Sequence, residues 1–396
     1  MNAQTLPLRP LMAAYMACTM AMMAFVAVVG PMARILKLPP WQAGAVITIG
    51  GILWMLLSRA WGAASDRRGR RAVLLTGVGG FMLSYWAMCA LLIVALRVLP
   101  AAWQVFVGLV VTRGAVGAFY AAIPSVGQAL VADHLAPGER AGAMASLGAA
   151  NALGLVLGPA LAAGLTPFGL SLPLYVTAVL PAAALAVLWA ALPRTGPVAG
   201  AQASSVGLTD RRLRRSMAVA FAAMFCVAIA QITVGFFALD RLNLAPAAAA
   251  RVAGLALTMV GVGLVAAQLA VRRLGWSTQR LIRAGAWVSA LGFGSVALAS
   301  QSWMLVVSYF VAAAGMGWVF PAFAAMASNA VQAHEQGAAA GSIGAAQGLG
   351  IVLGPLAGTL LYEAGPGVPY VLAGGLLVLV ALWPERSPVV AQPSPG

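Results

Sequence analysis

Charge is what this sequence has least of. Only 8% of its 396 residues are charged against 62% hydrophobic, and the mean hydropathy is +0.95. A soluble domain carries about 25% charged residues, so a water-soluble globule is excluded and the bilayer is the solvent. Acids are the rarer sign, 8 against 23 Lys and Arg. Histidine occurs twice, as His134 and His334, and the three cysteines, Cys18, Cys89 and Cys226, lie far apart in apolar runs without a CxxC. That leaves no disulfide framework, metal site or catalytic constellation, so no enzyme and no cofactor are expected. The net charge of +15 sits in short turns between apolar runs. A nucleic-acid partner would need a basic face on a folded domain, and none is expected. Ten-residue alternating strand patterns are missing as well, which excludes a β-barrel.

What is present is apolar length. Breaks of charge, proline and glycine mark spans at roughly 11–36, 43–64, 72–97, 102–130, 140–166, 172–192, 216–239, 247–271, 281–299, 303–328, 337–362 and 367–384. Each is long enough to cross a hydrocarbon core of about 30 Å as a helix. The first run is not followed by a small-residue cleavage site and is expected to be retained. With both termini in the cytoplasm, sixteen of the 23 basic side chains fall inside and five outside, while Arg59 and Arg113 lie within spans. Basic residues concentrate on the cytoplasmic side, so this orientation is expected, in a bacterial inner membrane.

The chain writes "GAANALGLVLGP" at 148–159 and "GAAQGLGIVLGP" at 344–355, with nine of twelve letters identical. The copies fall in the fifth and eleventh spans. Glu139 and Glu335, Ser146 and Ser342 share the same offset. The fold class expected is an all-α membrane protein of twelve helices in two six-helix halves, 1–192 and 216–396. The halves are related by parallel duplication and joined by a cytoplasmic linker at 193–215.

"GAASDRRGRRAVL" at 62–74 crowds Asp66 and four arginines into one turn. Its spacing, Gly62, Asp66, Arg67, Gly69, Arg70, Arg71 and Leu74, resembles the loop 2–3 signature of the major facilitator superfamily. The resemblance implies a network of the acid and arginines that stabilises the cytoplasmic gate. The corresponding stretch of the second half, "RRLGWSTQRLIRAG" (272–285), keeps arginines but has no acid.

Arg113 stands about eleven residues into the fourth span, ~16 Å deep. A cation there costs about 2.5–3.5 kcal/mol even on the lenient insertion scale. All eight acids, Asp66, Asp133, Glu139, Asp210, Asp240, Glu335, Glu363 and Glu385, lie in loops or at span ends, so no midplane carboxylate neutralises it. An electropositive, partly hydrated cavity is expected, suited to an anionic or oxygen-rich substrate. Arg113 and Gly117 resemble the superfamily's helix 4 motif, with Val116 where a glutamine is usual. The family's cavity is lined by spans 1, 4, 7 and 10, which here implies Tyr15, Thr19, Met23, Arg113, Tyr120, Gln231, Phe237 and Tyr309.

Gly154 and Gly158 form a small-xxx-small pair that lets helices approach closely, and Pro159 removes a backbone donor. With Pro159 they resemble the fifth-span motif of the superfamily's twelve-span drug:proton antiporters, with Ala162 and Ala163 replacing the terminal glycines. Gly350, Gly354 and Pro355 repeat it. The resemblance implies a monomeric exporter of a small molecule, a drug or a self-made metabolite such as an anionic siderophore, with the proton as coupling ion. The alternative is an uptake symporter or uniporter of a small organic anion.

Overall fold

The computed structural model describes residues 8–135, 137–192, 210–332 and 335–384. Of the expected linker, 193–209 lie outside this description, as do Arg194, His334, Glu385 and Arg386 and the side chains of Arg272 and Arg273.

The described residues form thirteen α-helices. The first half holds α1 (Leu8–Ile35), α2 (Pro40–Arg68), α3 (Arg70–Val98), α4 (Ala102–Tyr120), α5 (Ala122–His134), α6 (Pro137–Leu165) and α7 (Leu172–Ala191). The second holds α8 (Arg214–Asp240), α9 (Pro246–Leu274), α10 (Thr278–Val296), α11 (Ser302–Asn329), α12 (Gln336–Ala364) and α13 (Val368–Leu382). Ten helical stretches among the described residues are long and apolar enough to span a bilayer, α4 and α5 counting as one. The more polar α10 and the shorter α13 complete twelve spans.

Local chemistry sets the ends. Proline opens α2 and α9, where its missing N–H has no intrahelical acceptor to lose. Gly69 takes φ +91 between α2 and α3, a value that strains any side chain, and so folds the charged turn tightly. The fourth span is broken at Ala121. Pro124 has no N–H to give the Tyr120 carbonyl, so the ladder is interrupted there.

The two halves pack alike. α1 lies on α6 and α7 as α8 lies on α12 and α13, α2 meets α4 as α9 meets α11, and α3 meets α7 as α10 meets α13. Among the described residues, the helix pairs that chiefly join the halves are α1 with α8 and α9, α2 with α12, and α6 with α9. Their close approaches lie toward the end opposite the termini. Gly30 faces the backbone of Gly235 and Phe236, Gly44 faces Pro355 and Thr359, and Gly254 faces Pro159 and Ala163. Arg34 pairs there with Asp240, which also accepts from the Tyr362 hydroxyl at 2.9 Å. Among the described residues, α5 and α11, at the end that carries the termini, are not joined in this way. Among the described residues the halves are therefore joined toward one end, which leaves a cleft between them toward the basic end.

Candidate functional site

The glycine string positions the walls of this cleft. A Cβ on Gly154 would lie 2.7 Å from the Met16 carbonyl oxygen and 2.8 Å from Thr19 Cβ, and one on Gly158 would lie 2.5 Å from the Met20 carbonyl and 2.9 Å from Met23 Cβ. The second copy repeats this against α8. A Cβ on Gly350 would lie 2.7 Å from the Phe221 carbonyl oxygen, and one on Gly354 2.9 Å from the Phe225 carbonyl oxygen. Each glycine pair thus brings its helix into backbone contact with the first helix of its own half, the close approach such pairs permit in lipid. Both helices run on through the proline that follows.

α4 crosses α2 just as closely, Gly117 against the carbonyl of Gly50. Arg113 lies one turn away and is 5% exposed. Its guanidinium occupies the space a side chain at 50 would fill, since a Cβ there would sit 2.6 Å from Nη1. Tyr85 and Tyr120 lie within electrostatic reach of Arg113. Arg113 Nη1 is buried and has no hydrogen-bond partner among the described residues. An orphaned donor on a buried cation is costly and calls for a partner or another explanation.

Tyr120, beside this arginine, begins a polar chain across the first half. The Tyr120 hydroxyl lies 2.9 Å from Thr19 Oγ1, which donates to Asn151 Oδ1 at 2.7 Å. Tyr15, four residues before Thr19, donates to the Pro124 carbonyl at 3.1 Å, the carbonyl beside the helix break. Met23 packs on Gly158, so its Cβ faces α6.

The expected residues of the second half lie elsewhere. The Tyr309 hydroxyl donates to the Ala230 carbonyl at 2.7 Å and sits 3.0 Å from the Tyr370 hydroxyl. Phe237 packs edge-on to Tyr370 with centroids 5.4 Å apart. Tyr309 and Phe237 are both buried, and Gln231 is half-buried. The structure therefore brings Arg113, Thr19 and Tyr120 together and holds Tyr309 and Phe237 apart from them, inside the second half.

In the charged turn the hub is Arg70, with 9% of its side chain exposed. It bridges Asp66 at 2.5 Å, Asp133 on α5 at 2.7 Å and Ser65 Oγ at 2.6 Å. Arg71 donates to the Trp189 carbonyl at 2.7 Å and Arg67 to the Ala63 carbonyl at 3.3 Å. Around Gly62 there is open space. The network ties α2, α3, α5 and α7 within the first half. At the end of the expected linker, Arg212 donates to both Glu335 oxygens at 2.8 and 2.9 Å and also grips Asp210. Hydrogen bonds from Arg212 hold the Asp210 carboxyl below its usual range, and those to Glu335 and Asp210 push the guanidinium up.

A family profile described as Major Facilitator Superfamily matches residues 11–297 and 276–395. The chain belongs to the major facilitator superfamily. Among curated relatives it is 28% identical over 371 residues to tetracycline resistance protein, class G, of Vibrio anguillarum, covering 88% of this chain and 87% of that one. Over 363 residues it is 28% identical to tetracycline resistance protein, class C, of Escherichia coli, covering 86% and 85%. A crystal structure of a bacterial homolog to the human lysosomal transporter Spinster, inward-facing and occupied, superposes with a TM-score of 0.75 at 13% identity over 94% of each chain.

As a member of this superfamily the protein is a multi-pass membrane transporter, and transporters of this superfamily are not enzymes. Several residues of its site are not marked by any motif in the sequence. Asp133, the second acid on Arg70, is 63 positions away in the chain. Gly50, which makes room for Arg113, is one glycine among 45. Asn151, which accepts from Thr19, is an amide in an apolar span that no motif marks.

Proposed function

We propose that this transporter is an exporter that takes an anionic or oxygen-rich small molecule from the cytoplasm and releases it outside in exchange for protons. The observation that carries the reading is Arg113, a buried cation with an unpaired Nη1 beside two tyrosines. An acceptor oxygen of the cargo would complete its hydrogen bonding, and a charge-assisted bond in a dry site is among the stronger ones available. Excess arginine at the end carrying the termini supports placing that end in the cytoplasm of the inner membrane. In that frame the cleft is open inward and sealed outward, one of the two states of alternating access about a midplane site. The resistance for which the two relatives are named is what removal of a drug from the cell produces, and the glycine–proline helix supports export in the same direction.

Everted inner-membrane vesicles carrying the protein test this reading. With an acidic lumen they are expected to accumulate tetracycline or an organic-anion dye, and to stop when nigericin collapses the pH gradient. Accumulation that survives nigericin, or uptake found only in right-side-out vesicles, would overturn it.

A further inference from the structure

One polar side chain on the cleft wall is used by none of the family motifs, and the duplication supplies it with a counterpart. Asn151 on α6 and Gln347 on α12 occupy equivalent places, three residues before Gly154 and Gly350 respectively. We infer that these two amides form a second, neutral binding element for the cargo, facing each other's half across the cleft. The inference deepens the exporter reading and rests on it for the identity of the cargo.

Their position follows from helix geometry. On α6, Gly154 and Gly158 face α1, while Val156 and Ala163 face α9 of the other half. At about 100° per residue, Asn151 lies on the edge of the α1-facing stripe that is nearer the α9-facing side. The sector between those two faces is open: Gly148 and Ala152 are exposed, and nothing lies within 4 Å of the place a Cβ on Gly148 would take. α12 repeats this arrangement in part, with Gly350 and Gly354 against α8, Val352 against Gly51 of α2, and no atom within 4 Å of a Cβ built on exposed Gly344 or on buried Gly348. Both amides lie five residues, ~7.5 Å, on the open side of the valines that close the cleft. They form its polar ceiling.

The two differ in how they are held. Asn151 Oδ1 accepts from Thr19 and lies 3.4 Å from the Tyr120 hydroxyl, which fixes the plane of the amide. Its Nδ2 makes no hydrogen bond among the described residues and is not sealed from solvent. Gln347 is half-buried and makes no hydrogen bond among the described residues. Where Asn151 meets Thr19, the second half offers Met224, beside Gly350. One amide is therefore a fixed donor and the other an adaptable donor and acceptor. The chemistry they recognise is a neutral carbonyl, amide or hydroxyl group, complementary to the anionic group that Arg113 would take. Buried polar groups that exclude a ligand lacking the matching oxygen discriminate strongly.

Single cysteines at the two positions test the inference without transport or a proton gradient. Asn151→Cys and Gln347→Cys, each in a background whose three native cysteines are replaced by alanine, are labelled in everted vesicles with a membrane-impermeant thiol reagent. Both are expected to react, and at least one several-fold more slowly in the presence of saturating tetracycline or an organic-anion dye. Failure of both to react, or reaction rates unmoved by either probe, overturns the inference. Loss of probe accumulation under a pH gradient, with protection of the cysteines retained, would instead count against the exporter reading alone. Gln347→Leu is the functional companion: it breaks no hydrogen bond among the described residues, and is expected to raise the half-saturation concentration several-fold at unchanged melting temperature, with Gln347→Asn keeping most of the affinity.

Discussion

Arg34, in the last turn of α1, pairs with Asp240, the last residue of α8, and the Tyr362 hydroxyl of α12 donates to the same carboxylate oxygen. Each half contributes to this pair, and it sits at the sealed end of the cleft. By contrast, the charge network around Arg70 lies within one half, and the Arg212 clamp ties the linker's end to the start of α12. Opening the sealed end requires the Arg34–Asp240 pair to part.

Asp240→Asn is accordingly expected to shift the protein toward the state open at the far end. Arg34 is 47% exposed and Asp240 29%, and exposed pairs are worth about 0.2–1 kcal/mol, so the population ratio changes by at most about fivefold. Spin labels on Leu99 and Leu298, exposed in far-end turns of different halves, would report a longer distance population. The double exchange Arg34→Asp with Asp240→Arg should restore the original distribution. An unchanged distribution in Asp240→Asn would show that the pair contributes nothing to the seal.

Gly158→Val and Gly354→Val are expected to destabilise the fold by similar amounts, because in each the added carbons meet a backbone carbonyl that cannot swing aside. Overpacking of this kind costs about 1–3 kcal/mol. Gly148→Ala, with open space around it, should be close to neutral. Melting temperatures in detergent check all three, and a large loss in Gly148→Ala would contradict the packing described.

Removing Arg70 leaves Asp66 and Asp133 facing each other without their shared cation. Arg70→Ala is expected to cost about 1–3 kcal/mol. Arg70→Lys should recover only part, since one ammonium cannot reproduce a planar fork reaching two carboxylates and a hydroxyl. Arg68→Ala, at an exposed side chain in the same turn, should leave the melting temperature unchanged.

The Arg212 clamp has a defined pH response. Asp210 is held below its ordinary value of 3.8 by Arg212. A carboxyl depressed on folding stabilises above its unfolded pKa and loses that contribution as pH falls through its folded one. The difference in melting temperature between wild type and Asp210→Asn should therefore be flat from about pH 5 to 8 and narrow only below the ordinary carboxylate range. A difference that closes near neutral pH would contradict the assignment.

Much of this architecture was legible in the chain. The spans, the duplication and the turn at 62–74 could be read because each depends on neighbours in sequence. So could Arg113, since a lone charge in an apolar run announces its own cost. The break at Ala121 also had a local cause, Pro124, but proline interrupts some spans and not others: α6 and α12 run straight through theirs. Long-range pairs were not readable. Nothing near Arg70 indicates Asp133, nothing near Arg34 indicates Asp240, and Gly50 acquires its role only where α2 crosses α4. Tyr309 and Phe237 were expected at the cavity because their span carries them. Their burial against Tyr370 reflects helix rotation, which apolar spans, similar on all sides, do not record.

Transport by Arg113 variants tests the central claim most directly. In everted vesicles under a fixed pH gradient, initial rates for tetracycline or an organic-anion dye would be measured for wild type, Arg113→Lys and Arg113→Gln at matched abundance. Truncating one partner of a buried charged pair costs about 2–5 kcal/mol. Arg113→Gln should therefore lose at least about thirtyfold at low substrate concentration, and Arg113→Lys should fall between it and wild type. Equal rates for all three would contradict the account.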